Sequence, residues 1–359
     1  MEKICLVIHS LGRGGMERVM SLLAENFSLK KGLQVELILI GMNRSVDYDI
    51  PRAVNIHRPT FEFNNSRRWI DTVRTMAFLR KKIKEIGPDR VLSFGEYWNS
   101  LVLLSTYGTG YPVYVSDRCK PDKSLGRVHN RLRKLLYPGA AGIIAQTDYA
   151  KDFYQREIDH KNIQVIGNPI REIKEPEKGT EKENVILTVG RLIQTKHHDR
   201  LIRIFKKMGL NDWKLVIVGG NAIKQDGMSR LKELVHELDM DEKVVLTGEV
   251  EDVDQYYRKS KLFAFTSSSE GFPNVIGEAM SAGLPVVAYD CIAGPSDLIE
   301  DGMNGFLIPL FDDEQYKEKL MMLVENEDLR KRMGEQSAKL VKKYSSDFIC
   351  DVFYSFIND

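Results

Sequence analysis

Short apolar runs alternate along this chain with longer amphipathic stretches, and they do so in two separate series. A strand buried on both faces reads as a continuous apolar run, and parallel neighbours need helical crossovers between them. The pattern therefore predicts an α/β chain of doubly wound parallel sheets. The first series is Ile4–Ile8, Val35–Ile40, Val91–Phe94, Val113–Val115 and Ile143–Ala145, with helices expected over Glu17–Leu29, Arg68–Ile86 and Arg127–Tyr137. The second is Val185–Val189, Leu215–Val218, Val244–Leu246, Leu262–Phe265, Pro285–Ala288 and Phe306–Ile308. Its helical patterns cover Asp199–Met208, Ser229–Leu238, Asn274–Ser281 and Gln315–Glu325. Between the two series, Gly167–Asn184 is polar and carries Pro169 and Pro176, as linkers do. Two Rossmann-like domains are expected, residues 1–168 and 169–344. The aromatic-rich segment at about 345–359 (Phe348, Phe353, Tyr354, Phe356) is expected to cross back onto the first.

Composition narrows the function. A 359-residue chain with 43% hydrophobic and 29% charged residues is neither disordered nor fibrous. No apolar run approaches the roughly 20 residues that span a bilayer, and the opening MEKICLVIHS reads as a buried strand rather than a secretory signal. Cys5, Cys119, Cys291 and Cys350 are too scattered for a disulfide framework or zinc knuckle and read as reduced thiols. The net charge of +1 is a cancellation: residues 1–175 hold 28 Lys+Arg against 19 Asp+Glu, and residues 176–359 hold 24 against 32. A basic first half suggests an anionic or membrane partner there. No helix-turn-helix or RNA-recognition signature points to nucleic acid.

Doubly wound domains bind ligands at the carboxyl ends of their strands, so the loops after strands carry the chemistry. After the first run comes His9–Arg18, with Gly12, Gly14 and Gly15. Such a turn lets backbone approach an anion at a helix start, but it is not a dinucleotide fingerprint, and a structural turn explains it equally well. After Val189 come Gly190, Arg191 and Lys196, two cations placed to clamp a diphosphate at a helix N-terminus. The most specific stretch is Ser267–Pro285: Glu270, Gly271, Phe272, Pro273, Asn274 and Val275 lead into a helix that carries Glu278, and Gly283 and Pro285 end it. Carboxylates there can accept hydrogen bonds from sugar or ribose hydroxyls.

This stretch resembles the E-x7-E signature of the retaining, nucleotide-sugar-dependent glycosyltransferases of the GT-B "glycosyltransferase group 1" (GT4-like) family. The resemblance extends to Gly190-Arg191 with Lys196, to Gly14-Gly15 with Glu17-Arg18, to Asn168-Pro169, and to Gly294-Pro295 through Gly305-Phe306. In look it is nearest to bacterial enzymes that extend lipid-linked oligosaccharides, capsule or exopolysaccharide. The resemblance implies that Arg191 and Lys196 neutralise the donor diphosphate and that Glu278 binds the ribose. It also implies that Glu270 contacts the transferring sugar, with backbone of Gly271, Phe272 and Asn274 touching sugar and phosphate. Gly14 and Gly15 would approach the donor from the first domain, and the base would lie near 248–251. Two departures stand out. Many relatives carry Gly where His197 stands, which predicts a differently shaped helix start. Many place a His where this chain has Asp117 and Arg118, so one of these is expected at the sugar face, with His9 and His129 as substitutes.

The resemblance also implies front-face attack, in which electrostatics stabilise the leaving group and no protein nucleophile is required. No cofactor is expected. The metal-binding D-x-D of another sugar-transferase fold is matched in letters by Asp47–Asp49 and Asp239–Asp241, both expected in exposed loops away from the strand ends, so no metal is expected. On the acceptor side, the helices over Arg68–Ile86 and Arg127–Tyr137 read as basic and amphipathic. Arg67, Arg68, Trp69, Lys81, Lys82, Arg118 and Arg131 become candidates for a polyprenyl-diphosphate acceptor or the inner face of the cytoplasmic membrane. The plain alternative is apolar stripes in the core and solvated basic faces. Competing functions on this architecture are a nucleotide-sugar epimerase, a phosphorylase (for which no cofactor lysine is identifiable) and a non-catalytic sugar-nucleotide scaffold.

Overall fold

The computed structural model describes residues 1–12, 14–43, 45–174, 181–222 and 225–358. The chain divides into two compact units, Met1–Pro169 with Ser346–Asp359, and Ile170–Ser345.

The first unit is built on seven strands: β1 (Glu2–Ile8), β2 (Leu33–Leu39), β3 (Asn55–His57), β4 (Arg90–Phe94), β5 (Val113–Ser116), β6 (Gly142–Ala145) and β7 (Ile163–Val165). All pair in parallel, in the order β3-β2-β1-β4-β5-β6-β7. The second unit has six: β8 (Val185–Val189), β9 (Lys214–Val218), β10 (Val244–Gly248), β11 (Leu262–Phe265), β12 (Val286–Tyr289) and β13 (Gly305–Ile308). These too are parallel, in the order β10-β9-β8-β11-β12-β13. Each order reverses direction once, at β1/β4 and at β8/β11, and such switch points open the crevices where doubly wound sheets bind ligands. The central strands are apolar because helices cover both faces; Ile4 to Ile8 and Leu262 to Ala264 have no exposed surface.

The apolar runs mark eleven of the thirteen strands. The other two, β3 and β7, are three-residue edge strands with too little apolar sequence to register. Helices Glu96–Thr106 and Asp148–Glu157 also lack a clear apolar stripe in sequence; they are fixed by the Gly95 turn and by Thr147, whose hydroxyl accepts from the Ala150 N–H. The apolar stripe that the sequence places on the helix Arg68–Ile86, Trp69, Val73, Met76, Leu79 and Ile83, is buried only at Leu79 and Ile83. Asp71, Thr75, Leu79, Ile83 and Ile86 face inward, while Trp69, Ile70 and Val73 are exposed. Asp71 turns in because its carboxylate accepts from the Asn64 N–H at 2.8 Å and from Arg74 at 3.1 Å, so the first turn docks through polar bonds.

The helix Ser346–Asn358 belongs to the first unit although it is last in sequence. Phe353, fully buried, packs 6.1 Å from Phe94, and Phe356 meets Tyr114 edge-on at 5.5 Å. Gly142 in β6 makes room for it: a Cβ there would lie 2.8 Å from the Phe356 ring. Arg90 Nε donates to the Ile357 carbonyl at 2.9 Å, and Tyr354 hydrogen-bonds Glu2 at 3.1 Å. Phe353→Ala is expected to cost the first unit about 3–5 kcal/mol. Denaturant unfolding should show a lowered midpoint for that unit and an unchanged one for the second.

Candidate active site

In the second unit the two loops that leave the switch point are sewn together. After β8 the chain runs through Gly190 and Arg191 to the 3₁₀ turn Gln194–Lys196 and the helix His198–Met208. After β11 it runs through Thr266–Glu270. Thr266 Oγ1 donates to the Lys196 carbonyl at 2.8 Å, and the Ser268 N–H donates to the Thr195 carbonyl at 2.9 Å. Across this seam Lys196 Nζ stands 2.5 Å from Glu270 Oε1, with both side chains largely shielded. Arg191, by contrast, is exposed and pairs with no carboxylate among the described residues. Gly219, after β9, is required for this packing, because a Cβ there would lie 2.0 Å from the Gly190 carbonyl oxygen.

His197 corrects one expectation. Its φ of 49° and ψ of 40° are the left-handed values that a glycine would supply, so the helix start keeps that shape despite the substitution. The cost is offset by contacts of the ring: His197 Nε2 lies 2.8 Å from Ser268 Oγ, and the imidazole packs edge-on against Phe311 at 5.0 Å. The next residue, His198, is 3% exposed and opens the helix. Burial, and then the charge of Lys196, push its imidazole down to about 4. The Gly190 and Arg191 backbone passes close but forms no well-made hydrogen bond with either ring nitrogen. A neutral ring thus lies beneath the cationic loop.

The helix Asn274–Ser281 starts after Pro273 without a side-chain cap; in its first turn the Asn274 N–H donates to the Phe272 carbonyl at 3.1 Å and the Ile276 N–H to the Pro273 carbonyl at 2.9 Å. Gly294 lets Pro273 sit there: a Cβ would be 2.2 Å from its Cδ. Phe272 is buried against Tyr344 at 5.6 Å, which leaves the backbone of this turn as its functional part, while Gly271, Asn274 and Val275 are half-buried. Glu278 is 5% exposed. Arg171 Nε donates to its Oε1 at 3.0 Å and Tyr257 OH to its Oε2 at 3.0 Å, while Arg171 also pairs with Asp254. Burial works against the Arg171 charge, but the two carboxylates outweigh it and raise its pKa. Sequence reading missed Arg171, which looked like one of the linker's charges, and Tyr257, which carries no motif. In the expected base region, Gly248 takes a left-handed φ of 73° and its carbonyl accepts from the Gly219 N–H at 3.0 Å, so the loops after β9 and β10 adjoin.

In the first unit, Gly14 and Gly15 open the helix Gly15–Ser28, and the Tyr48 hydroxyl bridges the Gly14 N–H (3.1 Å) and carbonyl (2.9 Å). A Cβ on Gly14 would lie 2.3 Å from Glu17 Oε2, so a larger residue there would displace the Glu17 carboxylate. Asp47 and Asp49 are exposed but not remote from the strand ends: the Asp47 N–H donates to Leu11 O at 3.0 Å, so their loop lies against the glycine turn. Asp239 and Asp241 follow the helix Gly227–Glu237, Asp239 with φ 52° and Asp241 3.3 Å from His236. Among the described residues no group of three or more His, Cys, Asp or Glu is placed to hold a metal ion.

Asp117 does not present itself at a sugar face. It is 4% exposed, and its carboxylate turns inward to accept from Asn99 Nδ2 (2.9 Å), Tyr137 OH (2.5 Å) and Tyr154 OH (2.9 Å), with Arg133 at 3.6 Å. Burial raises its pKa although Tyr137, Arg133 and Tyr154 favour the charge. Arg118, next along, is half-buried over the Phe94 ring. His9 stacks on Trp98 at 5.6 Å, and His129 meets Tyr97 edge-on at 4.9 Å, so both rings are held by aromatic neighbours. Arg67, Arg68, Trp69 and Arg131 are exposed, whereas Lys81 and Lys82 both pair with Glu85, which weakens that end of the expected basic face.

The comparison with known proteins decides the family. The profile of Glycosyl transferases group 1 matches residues 169–340, and that of Glycosyltransferase Family 4 matches residues 13–172. The chain belongs to the group 1 glycosyltransferases. It is 29% identical over 364 residues, 96% of each chain, to the Campylobacter jejuni N-acetylgalactosamine-N,N'-diacetylbacillosaminyl-diphospho-undecaprenol 4-alpha-N-acetylgalactosaminyltransferase. It is 27% identical over 371 residues, 100% of each chain, to the amylovoran biosynthesis glycosyltransferase AmsD of Erwinia amylovora. The solved structure of Anabaena HepE in complex with UDP superposes with a TM-score of 0.83 at 18% identity, over all of both chains. The fold is GT-B, and this group 1 glycosyltransferase is a transferase enzyme.

Because His198 titrates at about 4 in the folded protein and near 6.5 when unfolded, the unfolded chain binds the extra proton between those values. Its contribution to stability is complete above pH 6.5 and is lost as pH falls towards 4, a loss of roughly 3 kcal/mol. His198→Leu should flatten the stability profile across that window, measured by urea unfolding at a series of pH values.

Proposed function

We propose that this glycosyltransferase moves a hexose or N-acetylhexosamine from a UDP-sugar to a lipid-linked or polysaccharide acceptor in bacterial cell-surface glycan synthesis, with retention at the anomeric carbon. The observation that carries the reading is the meeting of Lys196 and Glu270 across the β8/β11 switch point, beside unpaired Arg191 and two uncapped helix starts. A donor diphosphate suits that arrangement: Arg191 and Lys196 take its charge, and the starts of His198–Met208 and Asn274–Ser281 add N–H donors and dipole. Glu270, drawn off Lys196 as phosphate arrives, is free to accept from sugar hydroxyls. Glu278, held in place by Arg171 and Tyr257, is the carboxylate we assign to the ribose diol. As the glycosidic bond breaks, negative charge grows on the leaving phosphate, and preorganised cations and helix starts stabilise it there. The acceptor hydroxyl attacks from the same face and passes its proton to that phosphate, so no protein nucleophile is required. UDP as carrier is supported by the UDP complex of HepE, and a lipid-diphosphate acceptor by the name of the Campylobacter relative.

The acceptor side is read from the first unit. Trp69 (75% exposed), Val73 (58%), Val128 (68%) and Leu135 (75%) lie bare on two helices beside Arg67, Arg68 and Arg131. The helix starts adjoin, since Arg68 lies near enough to His129 to depress its pKa after burial has done so, and His129 touches Tyr97. Bare aromatic and aliphatic groups among cations suit an anionic bilayer, here the inner face of the cytoplasmic membrane. No helix among the described residues is long and apolar enough to cross a membrane, so attachment would be peripheral.

Lys196→Ala is expected to lower kcat about 10²–10³-fold with little change in donor affinity, as removal of a charge-stabilising donor does. Glu278→Gln should weaken UDP-sugar binding about tenfold by calorimetry; unchanged binding would sink the ribose assignment. Turnover of a UDP-sugar to its epimer without acceptor would favour an epimerase instead. Trp69→Ser with Val73→Ser should reduce co-sedimentation with phosphatidylglycerol vesicles and leave UDP binding intact. Equal pelleting would remove the membrane assignment.

A further inference from the structure

Arg118 is the second residue after β5, at the end of the sheet where doubly wound units bind ligands. Its Nη1 donates to Ser116 Oγ at 3.2 Å, its Nη2 donates to Asn168 Oδ1, and the guanidinium lies 4.4 Å over the Phe94 ring. Its Nε is buried without an acceptor. None of these neighbours is negative. Asp117, adjacent in sequence, spends its carboxylate on Asn99, Tyr137, Tyr154 and Arg133, and Arg118 forms no ion pair among the described residues. Arg133 and Arg171, also shielded, are treated differently: Arg133 lies by Asp117, and Arg171 lies between Glu278 and Asp254.

A partly desolvated charge without a counterion costs free energy that folding alone does not recover. Burial pushes the Arg118 guanidinium down to about 9, with no carboxylate to hold its proton. Beside it, Gln146 at the end of β6 is 5% exposed, donates to the same Asn168 oxygen at 2.9 Å, and leaves its own Oε1 unpartnered. The helix Glu96–Thr106 begins two residues after Phe94 without a side-chain cap. At the adjacent strand ends of β5 and β6 there is thus a cation that forms no ion pair among the described residues, with two buried polar atoms, Arg118 Nε and Gln146 Oε1, that lack partners.

We propose that Arg118 receives a phosphate oxygen of the sugar acceptor. The proposal rests on the reading of this enzyme as a transferase to diphosphate-linked acceptors, in which Arg191 and Lys196 already serve the donor phosphates. An acceptor phosphate at Arg118 supplies the missing countercharge and fixes the acceptor's reducing end at the β4–β6 strand ends. The acceptor class is then set by an anion at a defined place and not by apolar contact alone.

The test separates donor from acceptor phosphate. Arg118→Gln keeps a donor for Asn168 and removes the charge; Arg118→Lys keeps the charge. Inorganic pyrophosphate is titrated by calorimetry into the Arg191→Gln, Lys196→Gln protein, and the residual binding should weaken about tenfold on adding Arg118→Gln and return substantially with Arg118→Lys. Slow hydrolysis of the UDP-sugar by water, which needs no acceptor, should keep its KM in Arg118→Gln, as should the melting temperature. Unchanged pyrophosphate binding overturns the proposal, and so does a raised KM for UDP-sugar hydrolysis, which would give Arg118 to the donor. Pyrophosphate binding that ignores Arg191 and Lys196 would instead count against the donor reading and leave the Arg118 comparison interpretable.

Discussion

The contact that ties together the second unit's switch point is the ion pair of Lys196 with Glu270. It joins the loops after β8 and β11, the two strands that flank the reversal in sheet order. Backbone and hydroxyl bonds from Thr266 and Ser268 to residues 195–196 close the same seam, so the charges meet on a rigid mount. A lysine this shielded would otherwise face unfavourable desolvation. Glu270 meets that cost, and the pair is partly open to water. The neutral His198 beneath adds no second buried cation beside Lys196.

Three guanidinium groups show how surroundings assign different work to one residue type. Arg191 is exposed and pairs with no carboxylate among the described residues. Arg171 is consumed by two carboxylates and acts as a brace that holds Glu278 in place. Arg118 is shielded yet has only neutral partners. The near-neutral chain therefore hides local imbalance at several scales: a basic first half against an acidic second, and a lone cation at one strand end.

Much of this was legible in advance, and the misses have physical causes. The apolar runs identified the central strands because a parallel strand covered on both faces tolerates almost no polar residue. β3 and β7 escaped because an edge strand of three residues needs no such run. Lys196, Glu270 and Glu278 were legible because strand-to-loop-to-helix spacing places them at the sheet's carboxyl end. Asp117 was misread for the reverse reason: position in a loop does not say which way a side chain turns, and Tyr137 and Tyr154, distant in sequence, pull it inward. His197 was expected to reshape a helix start, but Ser268 and Phe311 hold it in glycine's conformation.

The sequence by itself determined the element order, the division into two doubly wound units and the residue types at each strand end, because burial on a parallel sheet and glycine at tight turns are local demands. Tertiary structure alone decided which charges meet. Arg171 finds Glu278 across 107 residues and Lys196 finds Glu270 across 74. Such pairings depend on strand order and on the direction each side chain leaves its loop, and the periodicity of a sequence carries neither.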